Sequence, residues 1–290
     1  MTSADFRTNP ENYCYRHPDR QSFVLCQRCL RTICPECQTQ MPVGVICPEC
    51  LRDQQQQQQA GRVTRMPRRR GPARARATDT RPLVTYAIVI VTSLTYLFTL
   101  IPGIGDTVTA YLAFNSAFLF PGIGFQPWRL LTVTLVHASL WHLVLNMLAL
   151  WALGRSLEPL LGRGRFLALY LLSALGGSVL VSLLAPGTWV VGASGAVWGL
   201  LGAMFVIGRH LGVNVTAIAI LLGLNLVITF LPGSGISWQA HIGGGLVGAL
   251  VGFIFARTRA IRAQRRQMWL LIGVAAGLLA LLVVPVVVYG

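Results

Sequence analysis

Four polar side chains, each set in an otherwise apolar segment, have the chemistry of a hydrolase. Ser194 lies among small residues at the start of one such segment, and His241 opens another. His142 and Asn146 lie four residues apart in a third. A serine hydroxyl becomes a nucleophile when a histidine takes its proton, and further donors can stabilise the oxyanion that forms. These residues predict a serine hydrolase site if their segments meet.

The composition indicates that these segments cross a membrane. The chain has 290 residues, of which 54% are hydrophobic and 11% are charged. Several windows exceed the roughly 18 apolar residues that mark a transmembrane helix. We therefore expect an all-α polytopic membrane protein with seven spans. They are predicted at residues 83–101, 139–157, 166–184, 194–208, 214–231, 239–256 and 268–289.

The arginines set the expected orientation. The net charge of +15 comes from 24 arginines and no lysine, against nine acidic residues. If the amino terminus is cytoplasmic, the external loops carry one arginine, Arg129, and the others fall at internal ends. We expect an integral protein of a prokaryotic plasma membrane, with a cytoplasmic start and an external end. Its positive charge is then explained without a nucleic-acid partner.

This orientation places the polar residues at one depth. The second, fourth and sixth spans run from outside to inside, and His142, Ser194 and His241 lie near their starts. Asn146 shares the helix face of His142 about 6 Å deeper. Polar groups inside a bilayer are costly unless they face the protein interior or a cavity, so they are expected to be functional.

Glycines give the fourth and sixth spans a means of close approach. Gly244, Gly248 and Gly252 recur every four residues after His241, and Gly195 with Gly199 does the same after the serine. Small residues at this spacing let transmembrane helices pack with their backbones near one another. Packing alone would also account for the glycines.

Residues 1–52 contain four pairs of metal ligands. In each pair two residues separate the ligands, which is the spacing that lets both grip one tetrahedral zinc. Eight ligands predict two closed structural zinc sites, whose binding can contribute about 10 kcal/mol of folding free energy. The spacing favours metal over disulfides. The pairs are Cys14 with His17, Cys26 with Cys29, Cys34 with Cys37, and Cys47 with Cys50.

Residues 53–82 are expected to form a disordered linker. Six glutamines, Gln54 to Gln59, precede a run rich in arginine, and the segment has little apolar surface to bury. The run could be a nucleic-acid arm. A juxtamembrane basic segment that attracts anionic lipid is the favoured interpretation.

Taken together, residues 83–257 resemble the rhomboid intramembrane serine proteases. The resemblance implies a six-helix bundle, to which residues 258–290 add a seventh transmembrane helix, while the zinc module lies outside the family core. The matching elements are Trp128-Arg129, His137 with His142 and Asn146, Glu158 with Gly162, Gly192 to Gly195, and Ala240-His241 with Gly244 and Gly248.

The resemblance also implies roles. Ser194 would be the nucleophile and His241 the general base and later the general acid, with no cofactor for catalysis. His142, Asn146 and the backbone amide of Ser194 would form the oxyanion hole. Gly192 and Trp198 would support the site, Trp198 by packing on the catalytic histidine. Structural roles are implied for Arg129, His137 and Glu158.

The order of the ligand pairs resembles B-box and RING modules, in which alternate pairs share a metal. By that resemblance Cys14, His17, Cys34 and Cys37 would hold one zinc, and Cys26, Cys29, Cys47 and Cys50 the other. Sequential pairing is the alternative. Such modules usually bind proteins, so a cytosolic protein partner is expected.

We therefore expect an endopeptidase that cleaves transmembrane protein substrates near the external face of the bilayer. The alternative is a non-catalytic adaptor that holds transmembrane partners and recruits a cytosolic protein through the zinc module. A solute transporter is disfavoured, because the sequence contains neither inverted repeats nor charged midplane residues.

Overall fold

In the computed structural model the chain divides into two compact units, Met1–Ala77 and Thr78–Gly290. The structure describes residues 10–41, 44–63, 81–231 and 235–289. Within these ranges the chain is mostly helical, with several apolar helices, as the composition predicts. The finer boundaries at residues 52, 82 and 257 stay predictions.

The first unit is built on two short antiparallel ribbons. Strand β1 (Tyr13–Cys14) pairs with β2 (His17–Gln21), and β3 (Thr39–Gln40) pairs with β4 (Val45–Ile46). Its buried core consists of six cysteines with Ile33 and Ile46. So small an apolar core is less than a domain of this size usually needs for stability.

Helix α1 (Pro48–Val63) follows β4 and differs from the sequence prediction. It contains Gln54 to Gln59, which were assigned to a disordered linker. Proline at the first helical position and Glu49 in the first turn favour a helix start, and glutamine is a good helix former. Residues 53–63 are thus helical in the structure, while their role as a linker stays a prediction. Residues 64–80 of the predicted linker lie outside the described residues.

The second unit contains ten further helices within the described residues. A 3-10 turn follows α4 directly, and other such turns lie in the loop that precedes α4 and before α10. The helices are α2 (Leu83–Thr99), α3 (Gly105–Leu112), α4 (Arg129–Thr132), α5 (Leu140–Leu161), α6 (Arg163–Leu184), α7 (Ser194–His210), α8 (Thr216–Thr229), α9 (Trp238–Arg257), α10 (Gln264–Leu281) and α11 (Val283–Tyr289).

Each predicted span corresponds to a helix of this unit. Among the described residues, four helices are long and apolar enough to cross a membrane: α5, α6, α9 and the segment Gln264–Val288 that joins α10 to α11. Helices α2, α7 and α8 have 17, 17 and 14 residues. The chain is a membrane protein, and the count of seven spans stays a prediction.

Helices α7 and α9 lie backbone to backbone along their length. A Cβ added to Gly252 would come within 2.8 Å of the Cα of Ala203, and one added to Gly248 or Gly244 would overlap backbone atoms of α7. Only glycine fits at these positions. The glycine seam, as we call this contact, pairs Gly244 with Gly195, Gly248 with Gly199 and Gly252 with Ala203.

Two buried charged side chains, Glu158 and Arg129, connect further helices of this unit by hydrogen bonds. The Glu158 carboxylate, 2% exposed, accepts hydrogen bonds from the backbone amides of Val84 and Thr85 at 2.9 and 2.8 Å and so caps the start of α2. The Arg129 guanidinium donates from Nη1 to the carbonyls of Ala110 and Ala113 at 2.6 Å. Arg129 thereby ties α4 to the end of α3 in the loop that precedes the site.

Candidate active site

Ser194 is the first residue of α7 and is half-buried. The loop before it is tied to its neighbours, because Phe114 and Val190 exchange backbone hydrogen bonds and the Gly192 amide donates to the Val133 carbonyl at 3.0 Å. Gly192 has φ 119°, a conformation that side chains rarely adopt. The loop therefore presents Ser194 in a fixed position at the amino end of the helix.

His241 lies in the first turn of α9 and is 7% exposed. Its ring stacks on Trp198, with ring centroids 5.1 Å apart and an interplanar angle of 23°. Trp198 is one turn after Ser194 on α7. The residues next to the pair are in contact, since the Ala240 carbonyl oxygen lies 3.1 Å from a Cβ placed on Gly195. The structure thus brings Ser194 and His241 to the same end of the glycine seam.

His241 takes part in a short hydrogen-bond chain. The Thr229 hydroxyl lies 2.9 Å from Nδ1 of His241 and 2.8 Å from the Asn225 carbonyl oxygen. When Thr229 gives its one proton to Asn225, its oxygen accepts from Nδ1, which then carries the imidazole proton. In that tautomer Nε2 of His241 has a lone pair, the form that a general base needs.

His142 is held in the opposite tautomer. Its Nδ1 accepts a hydrogen bond from the Ala138 amide at 3.4 Å, so the proton lies on Nε2. A Cβ placed on Gly192 would be 2.7 Å from Nε2 of His142 and 3.8 Å from the Ser194 hydroxyl oxygen. The absence of a side chain at Gly192 therefore makes room for an N–H donor beside the serine.

Asn146 lies one turn further along α5 and is buried. Its Nδ2 donates to the His142 carbonyl at 2.9 Å. An amide nitrogen carries two hydrogens, so this bond leaves a second one for another acceptor.

His137 contacts the loop that precedes Ser194, because its Nε2 accepts a hydrogen bond from the Ala193 amide at 3.4 Å. Its ring packs edge-on against the ring of His142.

The helix itself contributes donors. The first amides of α7 have no acceptor inside the helix, and the aligned peptide dipoles put a partial positive charge at this end. An oxyanion formed at Ser194 would lie at this end, close to His142. Backbone and side-chain donors of this kind are the means by which proteins stabilise acyl-transfer intermediates.

A small cavity of about 20 Å³ adjoins the serine. Its walls include Phe114, Val133, Val181 and Ala240 beside Ser194. A space of this size holds about one water molecule or a small side chain.

The sequence analysis missed Thr229. The residue is a buried threonine in the last turn of α8, twelve positions before His241. A polar side chain in an apolar span is a recognised signal of function. The signal was weak here, because a threonine hydroxyl can bond to its own helix and needs no partner elsewhere.

In the first unit, the eight predicted metal ligands form two groups. Within each group the ligand atoms lie within 4.8 Å of one another, and the groups combine alternate pairs rather than sequential ones. In the first group, Nδ1 of His17 is 3.3 Å from Sγ of Cys34 and 3.4 Å from Sγ of Cys37. The groups are Cys14, His17, Cys34, Cys37 and Cys26, Cys29, Cys47, Cys50.

These distances fit tetrahedral zinc. A zinc–sulfur bond of about 2.3 Å gives tetrahedron edges of about 3.8 Å. In the second group, Sγ of Cys29 lies 3.9 Å from Sγ of Cys47. Burial and the neighbouring thiols Cys14 and Cys34 raise the pKa of Cys37 to about 11. Thiols so close together cannot all ionise without a cation, and a divalent metal would supply the missing charge.

Comparison with known proteins identifies the second unit. The rhomboid domain model matches residues 124–258, a range that contains Ser194, His241, His142 and Asn146. Rhomboid protease GluP of Bacillus subtilis (strain 168) is 32% identical over 188 residues, which are 61% of this chain and 34% of that protein. The predicted family resemblance is confirmed.

Two eukaryotic proteins match more narrowly. RHOMBOID-like protein 4 of Arabidopsis thaliana is 38% identical over 138 residues, covering 45% of this chain and 34% of that protein. Rhomboid protein 1, mitochondrial, of Saccharomyces cerevisiae (strain ATCC 204508 / S288c) is 32% identical over 149 residues, covering 45% and 42%. The chain thus spans about a third to two fifths of the length of these three relatives.

Proposed function

We propose that this chain, which belongs to the rhomboid family, is an intramembrane serine endopeptidase that cleaves transmembrane segments of protein substrates near the external face. One observation carries the proposal. Nδ1 of His241 has the Thr229 hydroxyl as its partner and Nδ1 of His142 has the Ala138 amide, an arrangement that suits a lone pair on Nε2 of His241 and an N–H on Nε2 of His142. Acyl transfer to a serine requires one group of each kind.

The proposed reaction begins with attack by the Ser194 oxygen on a backbone carbonyl carbon. The hydroxyl proton passes to Nε2 of His241, and the Thr229 oxygen, which accepts from Nδ1, stabilises the imidazolium that results. The carbonyl oxygen becomes negative and takes hydrogen bonds from Nε2 of His142, from Asn146 and from the first amides of α7.

The tetrahedral intermediate then collapses. The carbon–nitrogen bond breaks, and His241 returns the proton to the leaving amine. A water molecule next attacks the acyl-enzyme ester with His241 again as the base, which frees Ser194 and the new carboxyl terminus. Asn146 and His142 serve the second oxyanion as they serve the first.

The substrate is constrained by the same geometry. Carbonyls in a transmembrane helix are already hydrogen-bonded, so the segment must unwind to offer one, and we expect glycine, proline or small polar residues near the cut. The cavity beside Ser194 favours a small side chain there. Replacement of such helix-weakening residues in a reporter by leucine should slow cleavage, and unchanged cleavage would contradict this requirement.

For the first unit we propose two structural zinc ions, held by the two ligand groups, and docking of a cytosolic protein. The zinc ions would have no part in the reaction, because protein ligands would fill all four positions of each site.

For the second unit we propose seven spans, with the amino terminus cytoplasmic and the carboxyl terminus external.

The test is cleavage of a transmembrane reporter by the purified full chain and by its Ser194→Ala form in the same vesicles. The serine variant should produce no product above background, and His241→Ala should behave alike. Equal cleavage by wild type and Ser194→Ala would overturn the proposal and leave the non-catalytic adaptor as the better explanation.

A further inference from the structure

A large open groove lies between α9 and α10. Its volume is about 1130 Å³, above the roughly 300–1,000 Å³ of typical small-molecule pockets. Apolar side chains such as Val247, Ile254 and Leu278 line most of it. In a membrane protein, a groove of this size and composition suits long hydrocarbon chains better than a polar solute.

Helix α10 is tied at its amino end both to the end of α9 and to α6. The Gln267 amide donates to the hydroxyl and carbonyl of Thr258 at 2.7 and 3.3 Å, and its oxygen accepts from Arg165 Nε at 2.7 Å. Further along, Leu278 packs into the cluster that α6 helps to form. Helix α10 is therefore held against its neighbours while a gap stays open beside α9.

Two glycines keep this gap clear. Gly273 and Gly277 line the groove, and a Cβ added to either would meet nothing within 4 Å. In the glycine seam, by contrast, a side chain on Gly244, Gly248 or Gly252 would collide with the backbone of the other helix. At Gly273 and Gly277 no neighbouring atom requires a glycine, and the absence of side chains leaves the groove open to a ligand.

Positive charge is concentrated at one end of the groove. Arg257 and Arg266 are exposed and both line it. From residue 107 onward the sequence contains one acidic residue, Glu158, whose carboxylate is bound to the start of α2. The side chains of this part of the sequence therefore supply no free carboxylate to neutralise the arginines, and an anion from outside it would be complementary.

We propose that this groove binds one anionic phospholipid, with its phosphate between Arg257 and Arg266 and its acyl chains along the apolar walls past Gly273 and Gly277. Basic pockets between transmembrane helices suit anionic headgroups, which attract nearby arginines by about 1 kcal/mol each. In the proposed orientation the headgroup lies in the cytoplasmic leaflet. The inference is independent of proteolytic activity.

The experiment measures lipid retained by the full chain. The protein is purified in detergent, mixed with equal amounts of phosphatidylglycerol and phosphatidylcholine, and examined by native mass spectrometry. We expect one retained phosphatidylglycerol per chain. Arg257→Gln with Arg266→Gln should weaken this preference about 25-fold, from about fivefold for each arginine.

Two further variants separate the groove from general charge. Arg262→Gln with Arg265→Gln removes the same charge from the same segment but does not touch the groove, and it should retain the lipid. Gly273→Leu with Gly277→Leu adds bulk to the groove at two positions where a Cβ meets nothing within 4 Å, and it keeps both arginines. It should lose the lipid while folding normally, since leucine is the better helix former.

Three results would overturn the proposal. The first is equal retention of the two phospholipids by the wild-type chain. The second is an equal loss in the Arg262/Arg265 control, which would indicate diffuse attraction. The third is complete displacement by inorganic phosphate, which would identify a soluble anion instead of a lipid.

Discussion

Replacement of Thr229 by valine tests the catalytic geometry at the residue that holds His241. Valine has nearly the shape of threonine but no hydroxyl, and both Thr229 and His241 are buried, at 4% and 7% exposure. The variant loses the 2.9 Å contact to Nδ1 and keeps the apolar packing. The buried Nδ1–H is then left without that acceptor, and the tautomer with a free Nε2 is no longer favoured.

The size of the effect follows from the charge that His241 acquires. A hydrogen bond to a charged group contributes about 1.5–3 kcal/mol. If that stabilisation is present only when the imidazolium forms, kcat falls about 10- to 150-fold, at 1.36 kcal/mol for each factor of ten. KM should change little, because the ground-state substrate does not contact this bond.

The assay is cleavage of a transmembrane reporter in vesicles, with kcat and KM determined separately. Thr229→Ser is the matched control, because it keeps the hydroxyl and should stay close to wild type. A valine variant with wild-type kcat would refute the tautomer argument. Equal damage in the serine and valine variants would assign the effect to disturbed packing instead of to the hydroxyl.

Three further predictions concern the rest of the molecule. His142→Ala should lower kcat by about 10² to 10³ through loss of one oxyanion donor, measured with the same reporter, and an unchanged kcat would exclude His142 from the oxyanion hole. Gly248→Leu should prevent α9 from docking on α7 and abolish the cooperative thermal transition, whereas Gly273→Ala should keep the wild-type Tm; equal behaviour of the two would contradict the glycine seam. Elemental analysis should find about two zinc ions per chain, and Cys37→Ser should reduce that number to about one, while a zinc content near zero in the wild type would refute both metal sites.

The candidate site could be largely predicted because its signals repeat along the chain. Polar residues stand out in apolar segments, and the four-residue glycine spacing identifies the two helices that touch. The tautomers of His241 and His142 could not be predicted, because they depend on Thr229 and Ala138, and neither residue has a distinctive sequence pattern. The Thr229 hydroxyl and the Ala138 amide contact the histidines only because the fold places them there.

Outside the site, too, features that depend on one segment alone could be predicted, whereas features that depend on contacts between segments could not. Seven helical segments follow from hydropathy, since apolar length is a property of each segment alone. The buried role of Arg129 depends on carbonyl groups of α3, which a sequence does not locate. The continuation of α1 through the glutamines could not be predicted from low hydrophobicity, which indicates disorder, although glutamine favours a helix once Pro48 has started it.

The glycine seam has a consequence for the precision of the reaction. Where side chains separate two helices, the spacing depends on their rotamers, which interchange and which mutation alters easily. Between α7 and α9 the spacing is set by backbone atoms in contact, and these have no rotamers. Ser194 and His241 extend from the two sides of this contact, so the separation of their Cα atoms varies as little as the backbones do. In the proposed reaction, nucleophile and base would thus be aligned by leaving side chains out.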